Sequence, residues 1–152
     1  FGSTQSRFLD LNRGVSRAFE KLGLPIEAQN IVYGDLSAHA GQAALEECLQ
    51  HHPAPTAIFA LSDTAAIGAL AAAHARGLKV PDDISIVGCA DDPAALTAYP
   101  PLCTVNLPAE EMAAMAIREI GRLVMEGVPA SAQQTLLPVR MVIRASSGSR
   151  PE

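Results

Sequence analysis

The chain has 152 residues, room for one ordinary domain and little more, and 49% of them are hydrophobic against 18% charged, which excludes intrinsic disorder. A formal net charge of −5 excludes the electrostatic footprint of a nucleic-acid or anionic-membrane surface. Aromatics are 4% with no Trp, so the core must be aliphatic, and three widely spaced cysteines (Cys48, Cys89, Cys103) fit a reducing compartment better than a disulfide framework or zinc site.

Helical and extended signals alternate along the chain. Leu9 to Leu22 reads as an amphipathic helix, closed by Gly23 with Pro25 beyond it. Ile31-Val-Tyr33 is a short β run ending at Gly34-Asp35. Ala38 to His51 is helical and is stopped by Pro53 and Pro55. Thr56 to Leu61 is a continuous apolar run, the form of a strand buried on both faces. Ser62-Asp63-Thr64 carries N-cap chemistry for a helix through Arg76, and Gly77 supplies its stop. Ile84 to Val87 and Leu102 to Leu107 are extended. Pro108 opens a helix to Glu126, with Glu110 and Glu111 in its first turn and Gly127 after it. Leu136 to Ile143 is extended, and Arg144 to Glu152 reads as a frayed polar tail. The alternation predicts an α/β domain: a parallel sheet with crossover helices. The longest nearly apolar stretch, Thr64 to Ala75, is too short to span a bilayer, and Phe1 to Arg7 has no secretory-signal character.

In open parallel sheets ligands bind where the carboxyl ends of the strands meet their loops. Those loops read Gly34-Asp35-Leu36-Ser37, Ser62-Asp63-Thr64 and Gly88 to Pro93, with small or acidic residues suited to a neutral polar ligand. The plainer alternative is that Ser62 and Asp63 only cap a helix and Asp91-Asp92-Pro93 only starts a turn. No dinucleotide fingerprint, phosphate loop, nucleophile elbow or zinc-protease motif occurs. His51-His52 are adjacent and cannot face one metal as an i, i+4 pair could. Cys89 reads as a small buried thiol. No catalysis, cofactor or metal is expected.

The run Pro55 to Leu70 (PTAIFALSDTAAIGAL), Gly77 to Gly88 (GLKVPDDISIVG) and Pro100 to Val105 (PPLCTV) together resemble the lactose-repressor/galactose-repressor (LacI/GalR) family of transcriptional regulators. Gly14 to Pro25, Gly34-Asp35 and Ser37 fit in order and spacing. The resemblance implies the periplasmic-binding-protein type I fold and mainly its second lobe, over 1–143, with 104–127 crossing toward the first lobe and 144–152 as tail. The DNA-binding head and first lobe would lie outside this sequence. It further implies a cytoplasmic protein that binds a small sugar-like effector, forms a homodimer and reaches operator DNA only through that head. A periplasmic sugar receptor is the alternative of the same fold, and a small hydrolase or isomerase fragment is a third reading. The implied effector positions are Leu11, Leu36, Ser62, Asp63, Ala90 and Asp91. Three of them depart from the family pattern, which often has Arg at the place of Leu11, an aromatic at Leu36 and a ligand-binding Asp at Ala90.

The Asp63–Arg76 helix is alanine-rich almost all round, so one face is expected on the sheet and another in a dimer interface built from Ile67, Leu70, Ala72 and Ala73. The family resemblance implies that the loop from Ala94 to Tyr99, with Leu96, joins it. The helix after Pro108 carries an apolar face, including Met112, Ile117, Ile120 and Val124. It is expected either to fold back on its own lobe or to be covered by another copy of the chain.

Overall fold

A computed structural model describes residues 4–24, 26–50, 55–127 and 134–149. The chain divides into two compact units, Phe1–Tyr33 and Gly34–Glu152. The first holds helix α1 (Thr4–Lys21) and a 3-10 turn at Ala28–Asn30. Helix α1 ends at Gly23, whose φ of +70° suits a residue without a Cβ, and the Leu24 N–H returns to the Phe19 carbonyl at 3.0 Å. Ile31-Val-Tyr33 was expected as a strand, but it forms no ladder among the described residues. β propensity alone does not make a strand where no partner supplies the hydrogen bonds.

The second unit runs α2 (Ala38–Cys48), β1 (Ala57–Phe59), α3 (Asp63–Ala75), β2 (Ser85–Ala90), α4 (Pro93–Thr97), β3 (Cys103–Asn106), α5 (Ala109–Glu126) and β4 (Arg140–Val142). The sheet order is β1-β2-β3-β4. The first two pairings are parallel, with Ile58 opposite Ile86 and Val87 opposite Cys103. Strand β4 pairs antiparallel to β3, with Thr104 opposite Val142. The α/β expectation holds, with one antiparallel edge. Among the described residues, β1, the strand expected to be buried on both faces, lies at one end of the sheet, with Phe59 40% exposed. A continuous apolar run does not say how many neighbours a strand has.

Both long helices of the core begin on a serine cap. The Ser37 Oγ accepts from the Ala40 N–H at 3.1 Å and the Ser62 Oγ from the Ala65 N–H at 3.0 Å. Helices α2 and α3 then cross at two glycines. A Cβ on Gly41 would fall 1.9 Å from the Ala65 carbonyl oxygen, and one on Gly68 would fall 1.9 Å from that of Ala38. The core centres on Leu45, Ala66, Ala69, Leu70, Ile84, Ile86 and Leu102.

This crossing places most of the expected dimer-face residues in the chain's own core. Helix α3 packs against α2 on one side and against β2 and α4 on others. Ala72 and Ala73 are 0% exposed and Leu70 is 2% exposed, while Ile67 packs half-buried against the same core. An alanine-rich helix predicts close neighbours on two sides, and here the chain itself supplies both. Of the five residues, Leu96 alone is open, at 64% exposed.

The polar tail is also corrected, because residues 144–148 are built into the sheet. Ser146 is fully buried between β2 and β3. Its Oγ accepts from the Cys103 N–H at 2.8 Å and donates to the Ile86 carbonyl at 2.5 Å. Its own carbonyl accepts from the Ile86 N–H at 2.8 Å. Helix α5 goes the other way. It buries no residue, and Ile117, Ile120 and Val124 are widely exposed. It does not fold back on its own lobe as one of the two expected arrangements required.

Candidate functional site

The carboxyl ends of β2 and β3 lie side by side, and the chain leaves β2 through an unusual pair of residues. Ala90 has φ 144° and Asp91 φ 61°, both on the side of φ that residues with a Cβ rarely adopt. Hydrogen bonds from below hold this step. The Asp91 N–H donates to the Thr104 Oγ1 at 3.3 Å, and the Asp92 N–H to the Asp63 Oδ2 at 2.7 Å. The Thr104 hydroxyl in turn donates to the Asp63 Oδ1 at 2.6 Å. Asp63 is 1% exposed, with both oxygens engaged inside the fold, so it ties three elements together and presents nothing to a cleft. Gly88 makes room for it: a Cβ there would fall 2.1 Å from the Asp63 Oδ1.

Above this buried node, the Asp91 carboxylate accepts from Arg144 Nη2 at 2.7 Å and from Asn106 Nδ2 at 2.8 Å. Arg144 is anchored by a second donation, Nη1 to the Leu102 carbonyl at 2.8 Å. The Arg144 guanidinium, and then the Asn106 amide, hold the Asp91 carboxyl below its ordinary value. Asp91 and Asn106 form one wall of an open cleft of about 600 Å³, with Ala90, Leu107 and Pro108 and the first turn of α5, including Glu110 and Glu111. A second cleft of about 410 Å³, lined by Pro81, Asp82 and Asp83, lies at the amino ends of β1 and β2. The larger cleft has the position at which open α/β sheets bind ligands.

Of the residues singled out in the sequence, Ala90 and Asp91 line this cleft. Ser62 and Leu36 meet each other instead, the Ser62 hydroxyl donating to the Leu36 carbonyl at 3.1 Å. Leu11 lies on α1 in the other unit, 38% exposed. Asn106 and Arg144 were missed. The available signal was that Arg144 directly follows an extended run, from which a long side chain reaches across the neighbouring strand. Burial pushes the Cys89 thiol up, and the Asp63 charge adds to it, leaving a poor nucleophile. Among the described residues no cluster of three His, Cys, Asp or Glu could hold a metal ion, and no helix is long and apolar enough to cross a membrane.

The periplasmic binding protein-like domain family matches residues 4–147. The chain belongs to that family. The regulator DegA of Bacillus subtilis is 39% identical over 135 residues, which are 89% of this chain and 40% of DegA. A putative LacI transcriptional regulator of Bacillus cereus superposes with TM-score 0.85 at 28% identity, over 90% of this chain and 48% of that one. The regulator CelR in complex with cellobiose superposes with TM-score 0.83 at 30% identity, over 88% of this chain and 41% of CelR. The match is to the effector-binding domain of LacI/GalR-type regulators, as the sequence motifs implied, and it favours a regulator over a periplasmic receptor. The chain spans about 40% of the length of such relatives. They are regulators rather than enzymes.

Proposed function

We propose that this chain is the effector-sensing part of a cytoplasmic LacI-type repressor. It binds an uncharged, hydroxyl-rich small molecule in the cleft at the ends of β2 and β3 and performs no chemistry on it. The observation that carries this reading is the Asp91–Asn106–Arg144 arrangement on the cleft wall. An ionised carboxylate only accepts hydrogen bonds, so it selects ligand groups that donate. Arg144 neutralises its charge, so no ligand cation is called for, while Glu110 and Glu111 across the cleft disfavour anions. Occupancy then shifts the population of two arrangements of the full-length protein, which position operator-binding segments elsewhere in it.

The homodimer surface is proposed at Leu96 and Tyr99, both well exposed, with the His74 ring 5.8 Å from that of Tyr99. The exposed apolar face of α5 is proposed to be covered by the first lobe that the family resemblance implies. A thermal-shift screen of the full-length protein against uncharged sugars, cellobiose included, tests the effector reading. A ligand at a hundred times its Kd adds about 2.7 kcal/mol of stability. Stabilisation by charged metabolites alone would contradict it.

A further inference from the structure

Resting on that reading of the cleft, we propose that Arg144 is a positioning residue of the effector site: it fixes the Asp91 carboxylate in the orientation that receives a ligand hydroxyl. A carboxylate has about four lone-pair positions. Arg144 and Asn106 occupy one on each oxygen, which stops rotation of the group and leaves the others for a ligand. The pair is 17% and 18% exposed at its side chains, withdrawn from water yet open on the cleft side.

Arg144 can hold this aim because it is itself held. Its Nη1 donates to the Leu102 carbonyl, and its backbone N–H donates to the Cys103 Sγ at 3.0 Å. Two residues on, Ser146 is locked between β2 and β3. The contacts of Arg144 with Leu102 and Cys103, rather than those of Ser146 further along, thus set the direction of the cleft's acceptor. A lysine would supply the charge without the planar fork that serves Leu102 and Asp91 together.

The test compares Arg144→Gln, Arg144→Lys and Ser146→Ala in the full-length protein, with cellobiose and related uncharged sugars as probes. Ser146→Ala loosens the same segment without touching Asp91, so it reports what destabilisation alone does. Well below the melting temperature, Arg144→Gln weakens sugar binding about tenfold or more, the scale of a hydrogen bond to a charged group. Arg144→Lys recovers part of that loss, and Ser146→Ala binds within about twofold of wild type, since its own change lies away from the ligand. In a carbon-13 carboxyl titration, the Asp91 midpoint rises toward the ordinary carboxylate value in Arg144→Gln and stays in place in Ser146→Ala. Wild-type affinity in Arg144→Gln, or an equal loss in Ser146→Ala, overturns the proposal. If no sugar binds even the wild-type protein, the effector reading fails. The positioning role then falls with it, since a raised Asp91 midpoint in Arg144→Gln by itself reports only the loss of the neighbouring charge.

Discussion

Replacing Ser146 with alanine removes one oxygen from a site with no access to water. The Cys103 N–H loses its acceptor and the Ile86 carbonyl loses its side-chain donor, at two residues that are 0% exposed. The vacated space is that of a single hydroxyl, too small to admit a bridging water. Leaving a buried polar group unsatisfied costs about 1–3 kcal/mol, so two such groups with partial relaxation come to about 2–4 kcal/mol. For a chain of this size each kcal/mol moves the melting temperature by about 2–4 °C, which gives a drop of roughly 4–16 °C. Amide exchange at Cys103 should accelerate in parallel. Ser149→Ala, an exposed position three residues along, serves as the control and should stay within about 0.5 kcal/mol of wild type. An unchanged melting temperature in Ser146→Ala would mean that residues 144–148 do not complete the sheet.

Further outcomes follow from the same geometry. Gly88→Ala drives a Cβ onto the Asp63 carboxylate and should lower the melting temperature more than Ser146→Ala, because it disrupts the node below the cleft. Ala72→Glu places a charge at a fully buried position and should abolish folding by circular dichroism, whereas Tyr99→Glu should leave a folded protein of halved mass by sedimentation. A folded Ala72→Glu monomer would restore that face of α3 to the interface. Asp91 has its folded-state value depressed by Arg144, so its contribution is fully present above the ordinary carboxylate value of about 3.9 and is lost as pH falls through the lower folded value. Acid unfolding of Arg144→Gln should therefore depend less steeply on pH in that window; identical slopes would deny the coupling.

The sequence carries its local punctuation openly. Ser62 caps α3, Gly77 and Gly127 stop helices at φ of +74° and +86°, and Pro108 marks the start of α5, all as expected from residues a few positions apart. What it conceals is non-local. Ser146 bonds to Ile86 and Cys103, partners 60 and 43 positions away, so a polar run that resembles a tail is part of the core. Ala72 and Ala73 look like an interface because small side chains invite close approach, and nothing local says that the chain's own core covers them. Asp91 was visible as a cleft candidate beside a strand end. Its two partners were not, since Asn106 and Arg144 reach it only once β3 and β4 are paired.

An uncharged sugar is proposed to be received at the carboxyl ends of β2 and β3. Hydrogen–deuterium exchange of the full-length protein, with and without the sugars that stabilise it, tests this most directly. Slowed exchange is expected in peptides covering 89–92 and 106–111, with peptides covering 81–85 unchanged. Protection confined to 81–85, at the cleft on the opposite end of the sheet, would contradict it.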